Sequence, residues 1–256
     1  MNMRLTIYKS CILFLGLSVG SCNLLDVTEV EPVNQLSEEQ AITTVNQAQS
    51  ALLGTYGVLK TGLELIVYCP ANTALLGGTM DVGASGGTVE ASYRDNNVDP
   101  QDYELDAVYT KWYAVINNTN HIIQKAPMIQ TTDPKRDQVV GEARFLRGLA
   151  HFYLLRLFGQ FYDYNSKWGI VIKDKPIQSA VSQPRSTVKQ TYEFILADLD
   201  YAIANAANFT KTVYGSRQAA MALKAKVLLY AKQYSEAAAL AKQLIQTGPF
   251  QLEVKR

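Results

Sequence analysis

The sequence predicts an all-α protein: helices packed on a buried central helix and joined by long irregular loops. Three observations carry this. Residues 139–159, VVGEARFLRGLAHFYLLRLFG, place large apolar side chains nearly all round a helical cylinder, so that helix must lie inside the protein. Apolar residues recur at helical spacing in further segments on either side of it. Capping residues begin these segments, and glycine or proline ends most of them.

The chain opens on an address. Arg4 and Lys9 precede the apolar run Ile12-Leu13-Phe14-Leu15-Gly16-Leu17, a signal-peptide pattern too short for a permanent membrane span. The run ends in Val19-Gly20-Ser21-Cys22, which resembles the bacterial lipobox. Residues 1–21 are thus expected to be a lipoprotein signal, with Cys22 the lipidated first residue of the mature chain. Acyl chains bury CH₂ groups at ~0.8 kcal/mol each, enough to tether a protein whose body stays in water. Residues 22–36, with Asp26, Glu29, Glu31 and Pro32, read as the tether, and residues 37–256 as the helical domain.

Within that domain, Ser37 with Gln40 forms a capping-box pattern ahead of Ile42, Val45, Ala48, Leu52, Tyr56 and Leu59, a helix ending near Gly62. From 61 to 102 the helical signal fades among glycines, prolines and the polar run Arg94-Asp95-Asn96-Asn97. A stretch this long is either functional or carries short elements of its own. Helix returns at 102–126 with Leu105, Val108, Tyr109, Trp112, Val115 and Ile116, and Trp112 reads as core. Thr132-Asp133-Pro134 then offers a cap and a first-turn proline for the central helix, and Gly159 offers its end. Arg144, Arg147 and His151 form one stripe on it, and buried arginines need carboxylate partners: Asp198, Asp200 and Glu142 are the candidates. After the irregular segment 160–186, Ser186 or Thr187 caps a helix bearing Val188, Tyr192, Ile195 and Leu199. Residues 214–249 read as a helix–turn–helix pair with a turn at Gln233-Tyr234 and Ser235 as the second cap. Its small residues at the crossing resemble one tetratricopeptide repeat. Such a pair cannot bury both faces alone and must stack on the helices before it.

Composition narrows the function. With 256 residues, 48% hydrophobic content and a net charge of +1, the chain is a folded protein without the basic balance of a nucleic-acid binder. Three cysteines and two histidines, none at ligand spacing, give no reason to expect a metal or other cofactor. Tyrosine is in excess at 15, which suits helix packing at wet edges and sugar-like ligands.

These pieces, in this order, resemble the SusD/RagB family of Bacteroidetes outer-membrane lipoproteins. They are the lipobox; Leu24-Leu25-Asp26-Val27 with Glu31-Pro32; Ala48, Ala51, Gly54 and Tyr56; Trp112-Tyr113-x-x-Ile116 with Asn120; Glu142-Ala143-Arg144-Phe145-Leu146-Arg147-Gly148; Leu157-Phe158-Gly159; and Ala222-Lys224-Ala225. The resemblance implies a tetratricopeptide-like helical scaffold. It also implies a non-enzymatic, lipid-anchored nutrient binder at the cell surface, which passes oligosaccharide, or in some members peptide, to a SusC-type TonB-dependent transporter. Family members are longer, so the chain looks like the N-terminal part of such a protein. Gly148-Leu149-Ala150-His151 stands where the family pattern is more aromatic.

Sugar recognition needs aromatic faces beside planar polar groups. The stretch 61–102 offers Tyr93, Arg94, Asp95, Asn96 and Asn97, flanked by Tyr68 and Tyr103, and is the expected ligand site. Tyr162, Tyr164 and Trp168 form a second cluster, read as structure or partner contact. A helical-repeat adaptor without a small ligand is the competing reading. An enzyme has little support, because neither a nucleophile elbow nor a metal cluster is visible.

Overall fold

The computed structural model describes residues 41–83, 87–179 and 182–250, and those from Ile42 on form one compact unit. The predicted signal, the lipidated Cys22, the tether and the Ser37–Gln40 cap lie outside the described residues.

The first helix, α1 (Val45–Lys60), is capped by Thr44, which accepts from Gln47 N–H, while the Gln47 side chain reaches back to the cap backbone. The capping box of this helix therefore sits at Thr44 and Gln47. One turn of π-helix (Glu64–Tyr68) runs into α2 (Cys69–Leu76), and α3 spans Thr88–Arg94. The fading helical signal of 61–102 thus conceals three short helical elements. Gly78, at φ +65, sits just past α2 in the left-handed region that favours glycine. Next come α4 (Tyr103–Lys125) and a 3₁₀ turn (Ala126–Met128) that holds Pro127. Asp102 caps α4, its Oδ1 accepting from Glu104 and Leu105 N–H at 2.9 and 3.1 Å.

The central helix, α5, spans Lys135–Phe158. Asp133 Oδ1 accepts from Lys135 N–H at 2.9 Å, so the expected cap residue serves the first turn. At the other end Gly159 is extended (φ −118) and not left-handed. Glycine suits this position for space: a Cβ would come within 2.8 Å of Leu155 Cδ1 and 3.0 Å of Leu155 O. Three helices follow: α6 (Val188–Asn205), α7 (Arg217–Tyr230) and α8 (Tyr234–Thr247). Thr187 and Gln190 form the capping box of α6, and Ser216 caps α7. The turn into α8 falls earlier than expected, at left-handed Lys232. Gln233 then takes the cap position in place of Ser235, without a side-chain bond.

Two apolar clusters explain why α5 is apolar on opposite sides. Ala150 and Leu154 pack with Val108, Trp112, Val115 and Ile116 of α4 and with Cys69 and Ile170. Phe152 and Leu155 pack with Val188, Tyr192, Ile195 and Leu199 of α6 and with Leu223 and Val227 of α7. Trp112 is core as expected, stacked on Tyr153 at 4.8 Å. Among the residues of α8 only Ala237 is buried, and Ile245 is exposed.

The arginine stripe finds Asp198. Arg147 donates from Nε and Nη2 to its two carboxylate oxygens, both at 2.7 Å, and Arg144 Nη1 adds a bond at 3.3 Å. Asp200, two residues on, points elsewhere and pairs with Lys224. Glu142 accepts from the Tyr56 hydroxyl, which itself accepts from Gly215 N–H at 2.6 Å, so it joins α1, α5 and the loop before α7. Burial raises the Glu142 carboxyl above its ordinary range.

Candidate functional site

The polar run after α3 has a structural task first. Asn96 stands at φ 52, its N–H donating to Tyr93 O at 3.2 Å, and Asn97 N–H donates to Ser92 O at 2.8 Å. This is the Schellman arrangement, with asparagine in the left-handed position usually taken by glycine. Arg94 and Asp95 pair with each other in two bonds of 2.8 and 3.1 Å, at the protein surface. The run is therefore a helix stop whose side chains remain at the surface.

Tyr93 behaves differently. It is 1% exposed, and its hydroxyl donates to Asp102 Oδ1 at 2.9 Å. Burial, followed by the Asp102 bond, holds its phenol well above the usual range. Its ring therefore offers a ligand no open face; the bond ties the end of α3 to the start of α4. The reason is legible only in three dimensions, since a tyrosine on a helix of about two turns has no periodicity to betray its burial.

The open aromatic surface nearby belongs to Tyr103 and Tyr68. Tyr103 is 61% exposed, and its ring meets the edge of half-buried Tyr68 at 6.4 Å and 86°. Glu104 steadies this corner: it accepts from the Tyr103 hydroxyl at 3.1 Å and, on its other oxygen, from Asn72 Nδ2 at 2.7 Å. The Glu104 bond, together with the carboxylate charge, pushes the Tyr103 phenol up to about 12. The Tyr93–Asp102 bond thus ties the end of α3, which bears Arg94–Asn97, to the start of α4, which bears Tyr103. The second cluster divides. Tyr164 stacks on core Tyr192 at 5.9 Å, whereas Tyr162 and Trp168 are exposed, Trp168 under the Lys167 ammonium.

One concave feature escaped the reading of the sequence. A cleft of about 440 Å³ lies between Tyr109 and Tyr113 of α4 and the irregular segment after α5. The signal was present in the i, i+4 spacing of the two tyrosines, but that spacing also describes a helix's buried face. Among the described residues no group of three or more His, Cys, Asp or Glu side chains could hold a metal ion.

Fold and surface together define a helical-repeat binding scaffold with tyrosine-lined edges. Residues 78–229 match the family model of SusD-like proteins described as starch-binding and associating with the outer membrane. The chain belongs to the SusD/RagB-like family of outer-membrane lipoproteins, which are binding proteins and not enzymes. It is 29% identical over 203 residues to SusD-like protein P2 of Formosa agariphila, covering 76% of this chain and 37% of that one. It is 25% identical over 244 residues to SusD-like protein P38 of the same organism, covering 94% and 46%. A crystal structure of a SusD superfamily protein from Bacteroides thetaiotaomicron superposes with a TM-score of 0.71 at 30% identity, over 82% of this chain and 48% of that one. A laminarin-binding SusD-like protein shares the fold, with a TM-score of 0.63 at 21% identity, over 79% and 43%. The chain thus spans less than half the length of these relatives.

Proposed function

We propose that this chain captures oligosaccharide at the cell surface, anchored through Cys22, and passes it to a SusC-type TonB-dependent transporter. The observation that carries the ligand reading is the Tyr68–Tyr103 corner: an exposed ring fixed by Glu104 at the start of α4, which the Tyr93–Asp102 bond ties to the helix end bearing the surface groups Arg94, Asp95, Asn96 and Asn97. An aromatic face packs against the apolar C–H face of a sugar, and the planar guanidinium, carboxylate and amide groups bind its hydroxyls. Tyr93 contributes by holding the two halves together, not by contact.

Starch and laminarin fragments are the first ligands to titrate, because the family model and one fold relative are described by those glycans. Saturable binding without product formation is expected, weakened at least tenfold by Tyr103→Ala. Co-purification of a TonB-dependent transporter with the full chain is the second expected result. A transporter partner without any glycan or peptide binding favours the adaptor reading and overturns this one.

A further inference from the structure

The cleft between α4 and residues of the stretches 171–179 and 182–183 lies outside the corner just described. We infer that it is a second saccharide site, which takes the end of a short, hydroxyl-rich glycan. Its floor is a pair of tyrosines, Tyr109 and Tyr113, with ring centroids 4.7 Å apart and planes inclined at 52°. The Tyr113 hydroxyl is spent on Val171 O at 2.7 Å, and Tyr109 abuts Phe158 edge-on at 5.1 Å, so both rings are held in place. The rim is neutral and polar: Thr110, Ser179 and Gln183, with Lys173 as the cation. The lining residues include no carboxylate. A cationic ligand would find no countercharge here, and a polyanion would find a single lysine. A molecule with an apolar C–H face and a rim of hydroxyls matches both the floor and the rim. The volume of about 440 Å³ lies in the small-ligand range.

Residues 173–177 of the far wall are irregular backbone, yet bonds from α4 and α5 hold them before any ligand arrives. Asn117 clamps Ile177 from both sides, donating to its O at 3.2 Å and accepting from its N–H at 2.7 Å. Asn120 Nδ2 donates to Lys173 O and Lys175 O at 3.1 and 3.0 Å, and buried Arg147 reaches Asp174 O at 3.3 Å. A loop ordered in advance costs a ligand no ordering entropy on binding, which is what a recognition wall requires.

The inference rests on the saccharide reading above, and the test separates the two. The full chain is titrated with laminaribiose and cellobiose while amide NMR shifts are followed. Saturable shifts are expected at Thr110, Lys173 and Ile177. Thr110 is exposed, so Thr110→Trp fills the cleft without touching the core, and it should weaken those shifts at least tenfold. Gln183→Ala, a smaller change, should weaken them about threefold, and Tyr103→Ala should leave them unchanged. Glycan binding confined to the Tyr103 corner, with Thr110→Trp behaving as wild type, overturns the inference and leaves the saccharide reading standing. An absence of glycan binding anywhere overturns both.

Discussion

Replacing Asp198 with alanine takes away the carboxylate that neutralises two arginines inside the helix stack. Asp198 is 1% exposed and Arg147 4% exposed, and the pair is bidentate at 2.7 Å. Breaking a buried pair from one side leaves the other charge uncompensated, at a cost of about 3–5 kcal/mol. Arg147 keeps its bonds to Asn120 Oδ1 at 2.8 Å and to Asp174 O, but neither partner carries a negative charge there. Arg144 is partly solvated and sits over the Tyr201 ring at 4.3 Å, so it adds little to the loss. For a domain of this size, 1 kcal/mol corresponds to roughly 2–4 °C in Tm, so a 4 kcal/mol loss lowers Tm by roughly 8–16 °C. Urea titration and thermal unfolding followed by circular dichroism measure both quantities. The double variant Arg147→Met/Asp198→Leu removes both buried charges and should be more stable than Asp198→Ala. A loss below about 1 kcal/mol for Asp198→Ala, or a double variant no better than the single, would refute the argument.

Four further outcomes are expected. At Gly141 a Cβ would stand 2.6 Å from Ala206 N, where α5 meets the end of α6, so Gly141→Ala should cost about 1–3 kcal/mol in urea unfolding. At Gly148 the nearest contact is an ordinary 3.4 Å to Leu199, so Gly148→Ala should instead gain up to ~1 kcal/mol from helix propensity. Full burial holds the His151 imidazole down at about 3, below its ordinary 6.5. The unfolded chain therefore takes up that proton first, and the contribution of His151 to stability, complete above pH 6.5, is lost as pH falls towards 3. The slope is up to ~1.4 kcal/mol per pH unit and should shrink in His151→Asn. Cys22→Ala should move the protein from the membrane to the soluble fraction on cell fractionation, and an unchanged membrane fraction would contradict lipidation there.

What could be read in advance and what could not divides by distance along the chain. Helices are built from bonds four residues apart and capped by bonds three apart. The start of a helix near residue 102, a cap at Ser186 or Thr187 and the interior position of Trp112 were accordingly visible in spacing alone. Ser37–Gln40 and Thr44–Gln47 both fit the capping-box pattern, and spacing alone did not single out the second, which serves α1. Spacing also concealed the helices of 61–102, which are too short to show a period. For the candidate ligand surface, the residue types were legible but their roles were not. Asn96 ends a helix and Tyr93 serves the core, while Tyr103, a flanking residue in the sequence, is the exposed ring.

The sequence by itself determined that α5 is buried, that its arginines need carboxylates, and roughly where the longer helices α4, α5 and α6 begin and end. These follow from side-chain periodicity and local hydrogen bonding. The tertiary structure alone decided which carboxylate answers: Asp198, 51 residues from Arg147, and not Asp200, which the helical turn points at Lys224. It also sent Glu142 to Tyr56, 86 residues away, and closed a cleft between α4 and backbone 60 residues on. Partners that far apart are selected by the packing of whole helices, and no local pattern records that choice.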